Sequence, residues 1–214
     1  MFFDAQFWPF LVAITLLTLS PGVDTLLVIR NTTRGGLRDG VLTSLAICSG
    51  LFVHATVSAL GISVILLQSA WAFSALKLVG AAYLIWLGLQ SLASARRGTP
   101  LPVADCSVER QAVSHWVPLR EGFLSNVLNP KTVVFYMAFL PQFIAPGDPA
   151  LAKSLWLAGV HFLIANLWQI GIAVMLGRAG HWLARRAVSR TLDGATGMVM
   201  VAFGLKLALS QRPV

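Results

Sequence analysis

Charge is scarce in this chain. Only 11% of its 214 residues are Asp, Glu, Lys or Arg, against about 25% in soluble domains, while 57% are hydrophobic. That balance excludes a water-soluble globular domain and predicts an all-α integral membrane protein. Cysteine is scarcer still. Cys48 sits in an apolar segment and Cys106 in a polar one, with no CxxC or ligand cluster. This spacing supplies no metal site or redox motif and asks for no cofactor. The excess of 16 basic over 8 acidic residues is not a nucleic-acid signal. The basic side chains fill short gaps between apolar runs, where they set orientation and meet anionic head groups. The start, Met1-Phe2-Phe3-Asp4, lacks the basic region of a cleavable signal peptide, so the first apolar run is expected to remain.

Six runs are long enough to cross a bilayer: 7–29, 40–67, 71–95, 121–144, 152–176 and 190–210. The gaps alternate in charge. Arg30, Arg34 and Arg38 follow the first run. The gap at 69–74 has no charge. Arg96, Arg97, Arg110 and Arg120 follow the third run, a single Lys153 the fourth, and Arg178, Arg185, Arg186 and Arg190 the fifth. By the positive-inside rule the Arg-rich gaps are cytoplasmic and both termini face outward, with Arg212 a contrary residue. The tract His181–Arg186 reads as an amphipathic surface turn on anionic lipid.

Residues 1–96 form one three-helix half and 120–214 another, joined by a cytoplasmic linker over 97–119 that holds Pro100, Pro102 and Pro118. An odd number of crossings per half makes repeated halves inverted relative to each other. Weak internal matches keep their order: Pro21 with Pro130, His54 with His161, and Leu87–Ser94 with Phe203–Ser210, at offsets of 109, 107 and 116 residues. Small residues such as Ala46, Gly50, Gly80, Ala81, Ala82, Gly197 and Gly204 suit close helix packing, and are compatible with a homodimer.

Two runs are interrupted. Leu19-Ser20-Pro21-Gly22-Val23-Asp24 breaks the first, and Leu128-Asn129-Pro130-Lys131 breaks the fourth. A proline frees the carbonyl four residues earlier, here Leu17 in the first break, and kinks or ends the helix. Ser20 and Asn129 read as N-caps, with Pro21 and Pro130 at the first helical position. Pro21 lies nine residues before Arg30 and Pro130 nine after Glu121. At about 1.5 Å per residue both breaks sit roughly 13 Å from the cytoplasmic charges, near mid-membrane. Broken backbone survives there only beside protein or a water-filled cavity, and paired discontinuous helices are the best sequence pointer to a transporter site.

The chemistry then follows. Ionisable groups at that depth are costly and mark function. Asp24 suits an ammonium group, and Lys131 with a half-helix N-terminus suits a carboxylate. Together they fit a zwitterion, an amino acid. A structural Asp24–Lys131 ion pair is the competing reading. The substrate-binding candidates are Ser20, Pro21, Gly22, Asp24, Asn126, Asn129, Pro130 and Lys131. Asp24, His54 and His161 are candidates for carrying a coupling proton, although a buried His also serves as an interhelical hydrogen-bonder. Asn166 and Gln169 read as interhelical contacts of the same kind.

Three stretches resemble the lysine-exporter/homoserine-and-threonine-resistance (LysE/RhtB) family of bacterial amino-acid exporters. Leu19–Val28 is similar to its S/T-P-G-P-N/D motif, with Val23 in place of the second proline. Leu76–Gly88 is similar to K-x-x-G-A-x-Y-L-x-x-L-G. Gly122–Lys131 and Phe139–Phe143 are similar to G-F-x-x-N-x-x-N-P-K and F-x-P-Q-F. The resemblance covers nearly the whole chain. It implies a six-helix, multi-pass inner-membrane secondary transporter that exports amino acids or close derivatives, driven by the proton gradient, and not an enzyme. The alternatives are a metal or inorganic-ion exporter, which would want clustered His, Cys or carboxylate ligands, a membrane enzyme, and a membrane assembly protein.

Overall fold

The computed structural model describes residues 5–19, 22–68, 70–97, 114–145, 147–183 and 186–209. Among them every regular element is helical. The first expected segment is two helices, α1 (Phe7–Leu19) and α2 (Val23–Gly35), bent by 50° at the break. Gly36, at φ 84°, turns the chain into α3 (Leu37–Gln68); that left-handed conformation favours glycine. α4 (Ala70–Arg97) follows. The second half opens with α5 (Trp116–Val127) and α6 (Pro130–Val134). The chain then passes through a π-helical turn at Phe135–Phe139 and a 3-10 turn at Leu140–Phe143. α7 (Ala150–Leu183) and α8 (Arg186–Leu209) complete it. α7 stays helical to Leu183, where the sequence reading placed a surface turn.

Among the described residues, three helical stretches are long and apolar enough to cross a membrane: Leu37–Gly61, Leu78–Arg97 and Ala150–Leu176. α1 and α2 make a fourth if taken as one bent span. The fourth expected segment does not qualify because it is cut into short pieces.

Named contacts fix how the helices run. α4 and α8 are antiparallel, with Gly88 against Gly197, Ala81 against Gly204 and Ala95 against Arg190. A Cβ on Gly88 would lie 2.8 Å from the Gly197 carbonyl oxygen, and one on Gly197 would lie 2.7 Å from that of Gly88. In lipid there is no hydrophobic drive between helices, so close backbone approach carries the association. α3 and α7 are also antiparallel, paired through Ser44–Asn166 and Phe52–Phe162. α3 runs parallel to α5, with Thr43 beside Gly122 and Gly50 beside Asn126. Ala82, expected at a packing contact, faces outward instead. The core gathers Phe10, Ile14, Phe135, Phe139, Leu157 and Leu207, while Val79, Leu163 and Leu167 point away from the bundle.

Candidate functional site

The second break is built as its sequence predicts. α5 ends at Val127, and Asn129 takes an extended conformation (φ −74°, ψ 111°). Its Oδ1 accepts the Lys131 backbone N–H at 3.0 Å, and Pro130 occupies the first helical position. This satisfies one of the donors that a helix start leaves open. It also withdraws that donor from any ligand, so a carboxylate here would rely on the Lys131 side chain.

The first break differs from expectation. α2 starts at Val23 and is capped by Gly22 in extended conformation (φ −144°, ψ −172°), with no side-chain cap bond. The helix therefore begins two residues later than a Pro21 start. Ser20 and Pro21 themselves lie outside the described residues. Asp24 falls in the first turn of α2, where a carboxylate is favoured by the helix dipole.

The two breaks meet. Asp24 Oδ1 accepts the Ser125 hydroxyl at 2.7 Å, and Oδ2 accepts the amides of Asn126 at 3.0 Å and Asn129 at 3.1 Å. An ionised carboxylate is acceptor-only, and here three donors from the second break converge on it. In return, Lys131 Nζ donates to the Leu17 carbonyl at 3.2 Å. That is the carbonyl a proline at position 21 leaves without its helical partner. Lys131 thus holds the end of α1; ion pairs form at Arg30–Glu121 and Lys153–Asp148.

Gly22, Asp24, Asn126, Asn129 and Lys131 line one cavity of about 60 Å³, together with Thr18, Thr132, His161 and Gln169. It has room for a few waters and falls well below the roughly 300 Å³ of a ligand pocket. Thr18 Oγ1, Asn126 Oδ1 and Gln169 Oε1 have no hydrogen-bond partner among the described residues. Pro130 is exposed and does not line the cavity; it serves only to start α6.

The two histidines bracket Tyr136. His54 donates from Nε2 to the Asn126 carbonyl at 3.0 Å. His161 Nδ1 lies 3.0 Å from the Tyr136 hydroxyl, with the rings stacked at 5.9 Å. The His54 ring is 5.7 Å from that of Tyr136. Ser58 donates to the Tyr136 carbonyl at 2.7 Å, satisfying backbone within the π turn. Both histidines are therefore interhelical hydrogen-bonders, and only His161 reaches the cavity.

Sequence reasoning missed Ser125 and Tyr136, and gave Gln169 only an interhelical role. Ser125 was legible, since it adjoins Asn126 and stands one turn before Asn129. Tyr136 was not, because the π turn shifts the helical register that a sequence pattern assumes. Asn166 is the interhelical contact expected of it, bonding Ser44 at 2.9 Å, whereas Gln169 faces the cavity. Towards the Arg30 end, Asn31 links Glu121 at 3.1 Å and Thr43 at 3.0 Å, beside the Arg30–Glu121 ion pair. No group of three His, Cys, Asp or Glu side chains among the described residues could hold a metal ion.

A helical membrane protein whose two broken helices exchange polar groups around a central cavity has the build of a membrane transporter. The chain belongs to the LysE type translocator family, whose model matches residues 15–211. It is 30% identical to the homoserine/homoserine lactone efflux protein of Salmonella typhimurium, over 95% of this chain and 96% of that one. It is 33% identical to the uncharacterized membrane protein YrhP of Bacillus subtilis, over 91% of this chain and 94% of that protein. An uncharacterized membrane protein of Vibrio cholerae is 29% identical over 97% of this chain and 99% of its own length. No solved structure matches the chain.

Proposed function

We propose that this exporter carries amino acids or close derivatives out of the cytoplasm across the inner membrane, in exchange for protons. The carrying observation is that one carboxylate and one ammonium, Asp24 and Lys131, line the same cavity from opposite breaks. A zwitterion can replace their present partners group for group. Its ammonium would take over Asp24 from the Ser125, Asn126 and Asn129 donors, and its carboxylate would take Lys131 from the Leu17 carbonyl. The unpartnered Thr18, Asn126 and Gln169 atoms leave polar capacity that costs about 1–3 kcal/mol per group while unmet, and polar cargo would meet it. The cavity of about 60 Å³ is too small for such cargo as it stands, so the two breaks must part to admit it.

Proton exchange follows from competition. An ammonium and a proton claim the same Asp24 carboxylate, so each can displace the other on opposite sides of the membrane. Antiparallel pairing of α4 with α8 and of α3 with α7 supports two inverted three-helix repeats, with the Arg30 end cytoplasmic and both termini outside. A metal exporter is less well supported, since Tyr136 stands between His54 and His161.

The test is accumulation of labelled amino acids in everted vesicles under an imposed proton gradient, identified by mass spectrometry against protein-free vesicles. Selective, gradient-dependent accumulation is expected, and Asp24→Asn should abolish it. Transport that persists in that variant with unchanged pH dependence would remove Asp24 from the coupling, and no accumulation by the folded parent would overturn the substrate class.

A further inference from the structure

The spaces inside the bundle lie in file. The central cavity and a small apolar void of about 10 Å³ share Leu17 as a wall. That void and a larger space of about 220 Å³ share Phe139 and Phe203. The larger space is bounded by Gln6, Gln142 and Lys206, at the end of the bundle remote from Arg30. Phe139 and Phe203 meet edge to face at 5.1 Å. On the other side of the central cavity, an open groove of about 500 Å³ reaches from Arg30 and Glu121 to Ser125, where the Ser125–Asp24 hydrogen bond separates it from the cavity. The partitions differ in kind. The one towards Arg30 is polar, and the one towards Lys206 is a double apolar wall.

We infer that the cargo leaves the central cavity past Leu17 and then between Phe139 and Phe203 into the Lys206 vestibule, and that Lys131 latches this exit by holding the Leu17 carbonyl. This rests on the exporter reading for its direction and its cargo, but not for its walls. An apolar constriction closes to polar solutes by staying dry, and a carbonyl at the end of a broken helix is a fixed wall only while something pins it. Lys131 is that pin. A cargo carboxylate that draws Lys131 off Leu17 unpins the wall at the moment the cargo is seated. The cavity is then occupied before it opens, so the exit does not stand ajar when empty. Lys131 is thereby a positioning residue for the gate as well as a binding residue.

The full-length chain with Leu17→Cys, in a Cys48→Ser and Cys106→Ser background, tests this without any cargo. A small, charged, impermeant methanethiosulfonate is applied to spheroplasts, reaching the Lys206 end. Labelling of the unaltered gate is expected to be slow. Phe203→Ala and, separately, Lys131→Gln are each expected to speed it severalfold, while Leu163→Ala, on the outward face of α7, leaves it unchanged. Everted vesicles report whether the same variants export amino acids, so loss of the exporter reading and loss of the route are separate results. A labelling rate that Phe203→Ala does not raise overturns the route. A rate that Lys131→Gln does not raise overturns the latch.

Discussion

Two of the seams that join the first half of this molecule to the second are made of opposite materials. At the α2–α5 seam, side chains do the joining: Asp24 with Ser125, Asn126 and Asn129, and Arg30 with Glu121. At the α4–α8 seam side chains are absent where the helices come closest, and backbone meets backbone at Gly88 and Gly197. A polar seam is directional and can be exchanged for another partner. A glycine seam is a fit of surfaces that nothing small can replace. The first therefore suits the part that must open, and the second the part that must stay closed.

Substitutions can break or sharpen that contrast. Asp24→Ala should be the most damaging, abolishing export in vesicles. It also strips the acceptor from three donors, each worth about 1–3 kcal/mol when left unmet, so the midpoint of thermal unfolding in detergent should fall as well. Gly197→Ala should cost about 1–3 kcal/mol through overpacking against the Gly88 carbonyl. Its signature is the reverse, with lower yield and melting temperature while the affinity of the folded fraction for amino acid is kept. If Gly197→Ala instead changes affinity, the glycine seam is not the passive partner. Asn129→Ala removes the cap of α6, worth about 1 kcal/mol, together with one of the Asp24 donors. It should weaken substrate binding more than it lowers the melting temperature, and equal losses would make the two seams alike. Glu121→Gln should do least to stability, within about 1 kcal/mol, because the Arg30–Glu121 pair is partly exposed. Any larger effect belongs in the salt dependence of transport.

The breaks themselves were legible from the chain because proline and asparagine have local consequences. Asn129 caps α6, as its type and place dictate. The spacing of each break from the cytoplasmic charges put Asp24 and Lys131 at one depth, and they share a cavity. What could not be read was who holds whom. The freed Leu17 carbonyl was predictable, but that Lys131 takes it depends on the bend between α1 and α2, which no local pattern encodes. Gly22 replaces Ser20 as the cap of α2 because the start of that helix is settled by long-range bonds to Asp24, not by its own first turn. Tyr136 escaped notice for a similar reason: a π turn five residues long resets which side chains face inward.

The glycine seam also bears on how the chain is made. Gly88 cannot meet Gly197 until a further 109 residues have been synthesised, which at a ribosome's pace of about 5–20 residues per second takes about 5–20 s. For that interval α4 lacks the helix whose Gly197 packs against its Gly88. A chain cut short before α8 would lack it permanently. Membrane proteases could thus tell an unfinished molecule from a finished one by a single groove.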